Sequence, residues 1–277
     1  MRSLMWIPGR STLAATRLGC VALFTLLAAG AAPAQAGDVL KRVQREQQLK
    51  VCIWPGYYGV TFRSPRTGEL QGIDIDLSTA LAQDLGVKLQ HVESSFPKLI
   101  EDLSSDRCDV AMFAIGVTAE RQQHLRFSSP YLQSDIYGIT TRSSRSIRAW
   151  SDIDKPGIKV AVQAGTFMEP VVTAWLKQAQ VVVIRPPQTR EQELEAGRVD
   201  IFMTDYPYSR RLLDNADWAR LVSSPTPFSV LPYAYAVKPG DEEWLGRLNT
   251  FVAAIKKDGR LVAAAKKHGL SEILLPR

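Results

Sequence analysis

Two aspartates, Asp74 and Asp76, stand two residues apart in the stretch GIDIDLSTALAQDLG (residues 72–86). A pair of carboxylates can share a metal ion, or can act as a general acid and a general base. No His, Cys or Glu stands close enough in the sequence to complete a metal site. The alternative is that the aspartates begin a helix, because an acidic side chain accepts hydrogen bonds from the first free N–H groups and suits the positive helix end.

The apolar residues around the two aspartates favour helix capping. Ile73, Ile75 and Leu77 alternate as in an extended segment, whereas Leu77, Leu81 and Leu85 recur every four residues, as on one face of a helix. The change of period predicts that a helix begins at the aspartates and that both side chains cap it.

Other catalytic patterns are missing from the sequence. His91, His124 and His268 lack the spacing of metal ligands, and there is no Gly-x-Ser-x-Gly motif or phosphate-binding glycine loop. We therefore predict no metal site, no cofactor and no set of catalytic residues.

Short β-rich segments alternate with helical patterns along the chain. Strand candidates such as LKVCIW, DVAMFAI, IKVAVQ and VDIFMT are separated by segments of helical periodicity such as LSTALAQDL and VVTAWLKQA. This alternation predicts an α/β fold with parallel sheets. The segments SSDRCDVAMFAIG and EAGRVDIFMTD are similar to each other, so we expect two similar lobes.

Residues 1–36 have the layout of a secretory signal peptide. Arg2, Arg10 and Arg17 make the leader positive, residues 18–32 are apolar, and Ala34-Gln35-Ala36 is a small-x-small cleavage site. We expect cleavage after Ala36. A membrane anchor is less consistent with the sequence, because the apolar run is about 15 residues long.

The charge of the mature chain argues against a nucleic-acid partner. The whole chain has 34 basic and 28 acidic residues. Cleavage of the leader removes three arginines and no acidic residue, so the mature net charge is +3. There is also no basic run with interleaved aromatic residues. About 240 residues suffice for one large core or for two lobes.

Two cysteines, Cys52 and Cys108, remain in the mature chain. Each adjoins a predicted buried strand, and an exported protein matures where disulfides persist. We predict a Cys52–Cys108 disulfide, which would stabilise the fold by about 4 kcal/mol through loop entropy. Two free buried thiols are the alternative.

Four segments carry a resemblance to a known family: GIDIDLSTALA, AIGVTAERQQHLRFSSPY, KVAVQAGT and AGRVDIFMTD. In this order they resemble the family 3 bacterial extracellular solute-binding proteins, the periplasmic receptors of amino-acid ABC importers. The resemblance covers Leu40 to Leu270.

The resemblance implies a two-lobed periplasmic-binding-protein fold of type II, in which two parallel-rich sheets are joined by two hinge strands. Lobe 1 would be residues 37–132 plus 233–277, and lobe 2 would be residues 133–232. The lobes would close like a hinge around the ligand. The resemblance also implies a periplasmic monomer whose partners are a small-molecule ligand and the membrane subunits of an ABC importer.

By the same resemblance, Arg121 would grip the ligand's carboxylate with its planar guanidinium, and Asp205 in the other lobe would accept the ammonium. The residues that would assist Arg121 at the carboxylate are Gly116, Thr118, Gly165 and Thr166. The alternatives are a surface arginine in a Thr-x-x-Arg turn and, for Asp205, a helix cap.

By the same resemblance, Tyr57 and Phe96 match positions that commonly flank the ligand's side chain. The other aromatic residues at expected site positions, Trp54, Phe113 and Phe167, depart from the family pattern. Trp54 stands where many family members have an acid, which argues against a basic ligand and favours an apolar or aromatic one. Some of these rings could instead pack the lobes.

An enzyme is the alternative class, because the same fold hosts cyclohexadienyl dehydratases. SSFPKLIEDLSSDRCDVAM, FSSPYL and FMTD resemble those lyases as well. Elimination needs a general acid, for which Glu169 is the candidate. However, an acid in the first turn of a helix is also favoured by the helix dipole, and Phe167-Met168 departs from the small polar pattern expected there. We therefore interpret the protein as a binding protein rather than an enzyme.

Overall fold

The computed structural model describes residues 38–275. The predicted signal peptide and its cleavage site lie outside these residues. Within them, the α-helices in chain order are α1 (Val39–Glu46), α2 (Ile73–Leu85), α3 (Leu99–Ser104), α4 (Ala119–His124), α5 (Met168–Trp175), α6 (Arg190–Glu195), α7 (Tyr206–Leu213), α8 (Glu242–Asp258) and α9 (Arg260–Lys267).

The strands are short and most alternate with the helices, as predicted. In chain order they are β1 (Gln48–Ile53), β2 (Phe62–Arg63), β3 (Leu70–Gln71), β4 (Lys88–Glu93), β5 (Val110–Gly116), β6 (Arg126–Phe127), β7 (Leu132–Ser134), β8 (Ile136–Thr141), β9 (Lys159–Gln163), β10 (Gln180–Ile184), β11 (Ile201–Asp205), β12 (Ala219–Val222) and β13 (Leu231–Val237).

Two sheets organise the fold. Sheet 1 has the order β4-β1-β5-β13-β6, and β7 also pairs with β13. Its first three strands are parallel, and β13 runs antiparallel to its neighbours. Sheet 2 has the order β10-β9-β11-β8-β12, in which β8 is antiparallel to β11 and β12. The strands β2 and β3 form a separate hairpin.

The chain passes between the sheets twice. It leaves sheet 1 after Ser134 and enters sheet 2 at Ile136, and it returns through residues 223–230 to begin β13. Asp135 links the two connections, because its carboxylate accepts the backbone N–H groups of Phe228 (2.8 Å) and Ser229 (2.6 Å).

The core follows from the apolar character of the central strands. Every residue of β5 is buried, as expected of a central strand whose sheet is covered on both faces. Helix α2 covers sheet 1 by packing against β4 and β5 and also contacts α9, whereas α5, α6 and α7 pack on the strands of sheet 2. Within residues 38–275, no helix combines the length and apolar character needed to cross a membrane.

The predicted disulfide is confirmed. Cys52 at the end of β1 is bonded to Cys108, two residues before β5, and their Cα atoms are 5.6 Å apart. Parallel pairing of β1 with β5 brings these two positions together. The bond ties the last part of β1 to the segment that leads into the neighbouring strand β5.

The prediction that Asp74 and Asp76 cap a helix is wrong. Helix α2 begins there, but its N-cap is Gly72, and no side chain caps it. Gly72 has φ +137°, and a Cβ atom at this position would lie 2.2 Å from the carbonyl oxygen of Val60, so only glycine fits. Asp76 instead binds Lys267 on α9 at 2.9 Å.

Asp74 is fully buried and points into sheet 1. Its Oδ2 accepts hydrogen bonds from the backbone N–H of Ala114 (2.9 Å) and from the hydroxyl of Tyr131 (2.6 Å). Burial outweighs these bonds and raises the pKa of Asp74 to about 7. Ala114 has φ +48°, an unusual conformation for a residue other than glycine, so Asp74 supports an irregular point in β5.

Candidate functional site

A narrow cavity lies where residues from both sheets meet. The residues that line it are Trp54, Tyr57, Phe96, Ala114, Thr166, Phe167, Met168, Arg190, Thr204, Asp205 and Tyr208. The space between them is about 280 Å³ when its opening to solvent is counted, but little of it is wide enough for a water molecule. The side chains of the two sheets therefore meet closely across the cleft.

Arg121 is held by the turn that begins α4. Thr118 is the N-cap of this helix, and its hydroxyl accepts the backbone N–H of Arg121 at 3.2 Å. The guanidinium is buried, and Nη1 donates to the carbonyl oxygen of Gly116 at 2.9 Å. Nη2 donates across the cleft to the carbonyl oxygen of Gly165, also at 2.9 Å. Arg121 thus links the segment after β5 to the segment after β9.

The guanidinium of Arg121 lies 5.4 Å from the ring centroid of Phe96, within cation–π range. Burial lowers the pKa of Arg121 to about 10, and Tyr233 and Tyr57 act in the opposite direction. Because this value is well above neutral pH, Arg121 stays charged.

Gly165 and Thr166 form the turn between β9 and α5. Thr166 lines the cavity, and its hydroxyl donates to the carbonyl oxygen of Gln163 at 2.8 Å. Gly165 has φ +72°, and a Cβ atom there would lie 2.7 Å from the backbone nitrogen of Pro97 on the opposite side of the cleft. The turn therefore lies directly against the sheet 1 side at Gly165.

Glu169 stabilises this turn and does not line the cavity. Its carboxylate accepts the backbone N–H of Gly165 at 2.7 Å, and it lies in the first turn of α5. This placement matches the role of an acid that stabilises the start of a helix. Met168 occupies the position on the cavity wall instead.

Asp205 ends β11 and caps α7. Its Oδ1 accepts the backbone N–H of Tyr208 at 3.2 Å, so Asp205 does cap the helix, as the alternative interpretation predicts. Its Oδ2 accepts the hydroxyls of Tyr233 (2.7 Å) and Tyr57. Asp205 is 1% exposed as a residue and lines the cavity. Burial raises the pKa of Asp205, and the two tyrosines, the Tyr208 N–H and the charge of Arg190 oppose the shift.

The predicted aromatic residues divide into two groups. Trp54, Tyr57 and Phe96 form one wall of the cavity, with ring centroids 5.3 to 5.9 Å apart, and Phe167 lies on the opposite side. Phe113 is not on the wall. It is fully buried in β5, and its ring packs behind Phe96 at 5.1 Å, because its side chain faces the core.

Sequence reasoning missed several residues of the cavity wall: Ala114, Met168, Arg190, Thr204 and Tyr208. The most important of these is Arg190, which is 3% exposed although it belongs to a short, highly charged helix. The signal that could have found it is Thr189. This threonine caps α6, as its hydroxyl accepts the N–H of Gln192 at 3.2 Å, and it thereby fixes Arg190 as the first helical residue.

The comparisons with known proteins identify the class. The sequence profile of the bacterial extracellular solute-binding proteins, family 3, matches residues 49–271. The chain belongs to this family, whose members are periplasmic or secreted. It is a solute-binding protein with the type II periplasmic-binding-protein fold.

Individual relatives include both binding proteins and an enzyme. The cyclohexadienyl dehydratase of Pseudomonas aeruginosa is 31% identical over 88% of this chain and 89% of its own length. The L-cystine-binding protein of Escherichia coli K12 is 28% identical over 83% of this chain and 85% of its own. The crystal structure of an ancestral amino acid-binding protein, a precursor of cyclohexadienyl dehydratase, superimposes with a TM-score of 0.75 at 29% identity, covering 82% of this chain and 98% of that one. Most of the named relatives are binding proteins.

Proposed function

We propose that the protein captures a small amino-acid-like ligand by closing two lobes, residues 37–132 plus 233–277 and residues 133–232, and delivers it to the membrane subunits of an ABC importer. It acts as a periplasmic monomer after cleavage behind Ala36, and it performs no chemistry on the ligand. The observation that carries the proposal is a buried cation, Arg121, and a buried anion, Asp205, held near one aromatic-lined cleft by segments of the two different sheets.

The contacts across the cleft support closure as the mechanism. Arg121 reaches the Gly165 carbonyl, and Tyr57 reaches Asp205, so each side supplies a group that bonds to the other. A ligand that takes over one of these partners on each side joins the lobes directly. Such a ligand binds the closed form more tightly than the open form. This difference in affinity shifts the equilibrium towards the closed form.

In the proposed complex, the ligand carboxylate binds Arg121 with help from Thr118, Thr166 and the backbone at Gly116 and Gly165. The ammonium binds Asp205. The rest of the ligand packs against the rings of Trp54, Tyr57, Phe96 and Phe167, with Phe113 supporting Phe96 from behind.

Two substitutions test the head-group assignment. Hydrogen bonds to charged groups contribute about 1.5–3 kcal/mol each. Arg121→Ala should therefore weaken every carboxylate ligand by at least about tenfold, whatever its side chain. Asp205→Asn keeps the helix cap but removes the charge, so it should weaken only ligands that carry an ammonium.

Affinities would be measured by titration calorimetry, after a thermal-shift screen of amino acids and organic acids. Arg126→Ala and Asp217→Ala, at exposed positions, are the matched controls. The proposal fails if ligands without an amine bind as tightly as amino acids and Asp205→Asn changes neither.

The identity to a cyclohexadienyl dehydratase supports a second candidate, a lyase acting on prephenate or arogenate. The position of Glu169 speaks against it, because this carboxylate is engaged by Gly165 and does not line the cavity. The acid on the cavity wall is Asp205. Incubation with prephenate, followed by ultraviolet absorbance, decides between the two. Consumption that Glu169→Gln abolishes would establish the lyase with Glu169 as its acid, whereas consumption that only Asp205→Asn abolishes would assign that role to Asp205.

A further inference from the structure

Arg190 places a second buried guanidinium on the cavity wall, about which the family resemblance says nothing. It is the first residue of α6, and its side chain runs inward between two rings of sheet 2 and α7. The guanidinium carbon lies 4.5 Å from the ring centroid of Tyr208 and 5.2 Å from that of Phe202. Nη1 donates to the carbonyl oxygen of Met203 at 2.8 Å. The stacking and this bond fix the direction of the side chain.

Most of the hydrogen-bonding capacity of Arg190 is not used by the protein. A guanidinium has five N–H donors. Among residues 38–275, the Met203 carbonyl is its one hydrogen-bond acceptor, and no carboxylate lies within ion-pair distance. The oxygens of Asp205 already accept from Tyr57, Tyr233 and the Tyr208 backbone. Within the described residues, the remaining donors of Arg190 therefore have no protein acceptor, although the residue is only 3% exposed.

The charge of Arg190 acts to lower the pKa of Asp205, but among residues 38–275 no carboxylate is bonded directly to this guanidinium. A buried charge without a directly bonded counterion is costly, so its retention at a binding site calls for a partner. Arg190 and Asp205 line the cavity, and Arg121 lies beside it, with its guanidinium 5.4 Å from the ring centroid of Phe96 on the cavity wall. The site and its border therefore hold two cations and one carboxylate. A zwitterionic ligand brings one charge of each sign and leaves one positive charge unbalanced. A ligand with an additional anionic group balances the site.

We propose that Arg190 binds a second carboxylate of the ligand, so that the preferred ligand is an amino acid with an acidic side chain. This inference rests on the proposed binding function and names its substrate class. The planar fork of a guanidinium matches a carboxylate in two parallel hydrogen bonds, which lysine cannot reproduce. The aromatic wall then contacts the apolar part that separates the ligand's two acidic groups.

The test compares ligands that differ by one carboxylate, on the same protein. Aspartate, glutamate and 2-aminoadipate are paired with alanine, norvaline and norleucine, and succinate and glutarate serve as dicarboxylates without an amine. The wild type should bind the best acidic member at least tenfold more tightly than its neutral counterpart, which is about 1.4 kcal/mol. Arg190→Gln should remove this preference, because the acidic amino acids should lose at least tenfold more affinity than the neutral ones do. Arg185→Gln, at an exposed position just before α6, should leave it intact.

Each outcome has a distinct meaning. If neutral amino acids bind as tightly as acidic ones in the wild type, the second carboxylate is refuted while the proposed function stands. If no amino acid or organic acid binds, the proposed function itself fails. If Arg190→Gln does not fold, Arg190→Lys and the wild-type preference still decide the question, since the lysine variant keeps the charge but should lose part of the preference. A preference that survives in folded Arg190→Gln also overturns the inference.

Discussion

Replacing Gly165 with alanine should impair ligand binding more than it impairs folding. Gly165 has φ +72°, and an added Cβ would stand 2.7 Å from the Pro97 nitrogen and 3.0 Å from the carbonyl carbon of Phe96. These atoms belong to the opposite side of the cleft. The substitution therefore creates two separate costs, one that is local to the turn and one that exists only when the two sides are in contact.

The two costs can be estimated separately. An alanine in the left-handed region costs about 1–2 kcal/mol, and this local cost is present whether the cleft is open or closed. Ordinary contact begins near 3.4 Å, so the Cβ overlaps the Pro97 nitrogen by about 0.7 Å. Relieving such an overlap by moving backbone costs about 1–3 kcal/mol, and only the closed form carries this cost. Ligand affinity should therefore fall by about 5- to 150-fold.

Gly157 provides the matched control. It has φ +86°, and a Cβ at this position would meet nothing within 4 Å. Gly157→Ala should lose a similar amount of stability in thermal unfolding but bind the ligand as the wild type does. Calorimetric titration of both variants with the best ligand from the screen completes the assay. Equal affinities for Gly165→Ala and Gly157→Ala would refute the reasoning, because they would mean that closure does not bring this turn against residues 96–97.

Two further predictions concern stability. Burial raises the pKa of Asp74 to about 7 in the folded state. Between the lower pKa of the unfolded state and this value, the folded protein therefore holds a proton that the unfolded chain has released. Asp74 therefore contributes stability at low pH that is lost as the pH rises through about 7. Between pH 5 and 7 the free energy of unfolding of the wild type should fall by up to about 1.4 kcal/mol per pH unit relative to that of Asp74→Asn. Urea unfolding that gives the same pH dependence for both proteins would contradict this. Replacing Cys52 and Cys108 by serine should lower the free energy of unfolding by about 4 kcal/mol, and an unchanged urea midpoint with unchanged slope would show that the disulfide contributes nothing.

Much of the fold could be predicted because local patterns determine it. The alternation of strand and helix segments predicts the parallel pairing of β1 with β4 and β5 and of β9 with β10 and β11. The positions of Cys52 in one predicted strand and of Cys108 just before another predict the disulfide. The placement of Arg121 is also local, since Thr118 caps α4 three residues before it. In each case residues that are close in sequence, or on neighbouring strands, fix the result.

The role of Asp74 could not be predicted in this way. An aspartate at the start of a helix looks the same in sequence whether it turns outward to the backbone or inward to the core. The difference depends on Ala114 and Tyr131, which are 40 and 57 residues away along the chain. Ala114, whose N–H donates to Asp74, has a positive φ. Nothing in the apolar sequence of β5 indicates this conformation.

Arg190 and Phe113 illustrate the same difficulty from opposite directions. A charged residue in a polar six-residue helix is expected at the surface, yet the packing of α6 on β11 buries Arg190. An aromatic residue near the expected site is a natural candidate for ligand contact, yet Phe113 faces the core behind Phe96. Periodicity shows which face of an element is apolar, but it does not show what lies opposite that face.

The three buried charged groups near the cavity differ in how many of their hydrogen bonds the protein itself supplies. This difference affects which ligands the site selects. Arg121 has carbonyl acceptors on both sides of the cleft, and Asp205 has two tyrosine hydroxyls and a backbone N–H. A ligand that binds either group replaces bonds the protein already makes, so the net gain is modest and similar for all amino acids. Arg190 has donors that no group in the described part of the chain accepts, so a ligand carboxylate there gains bonds without displacing any. Discrimination among ligands with the same head group should therefore depend more on Arg190 than on Arg121 or Asp205.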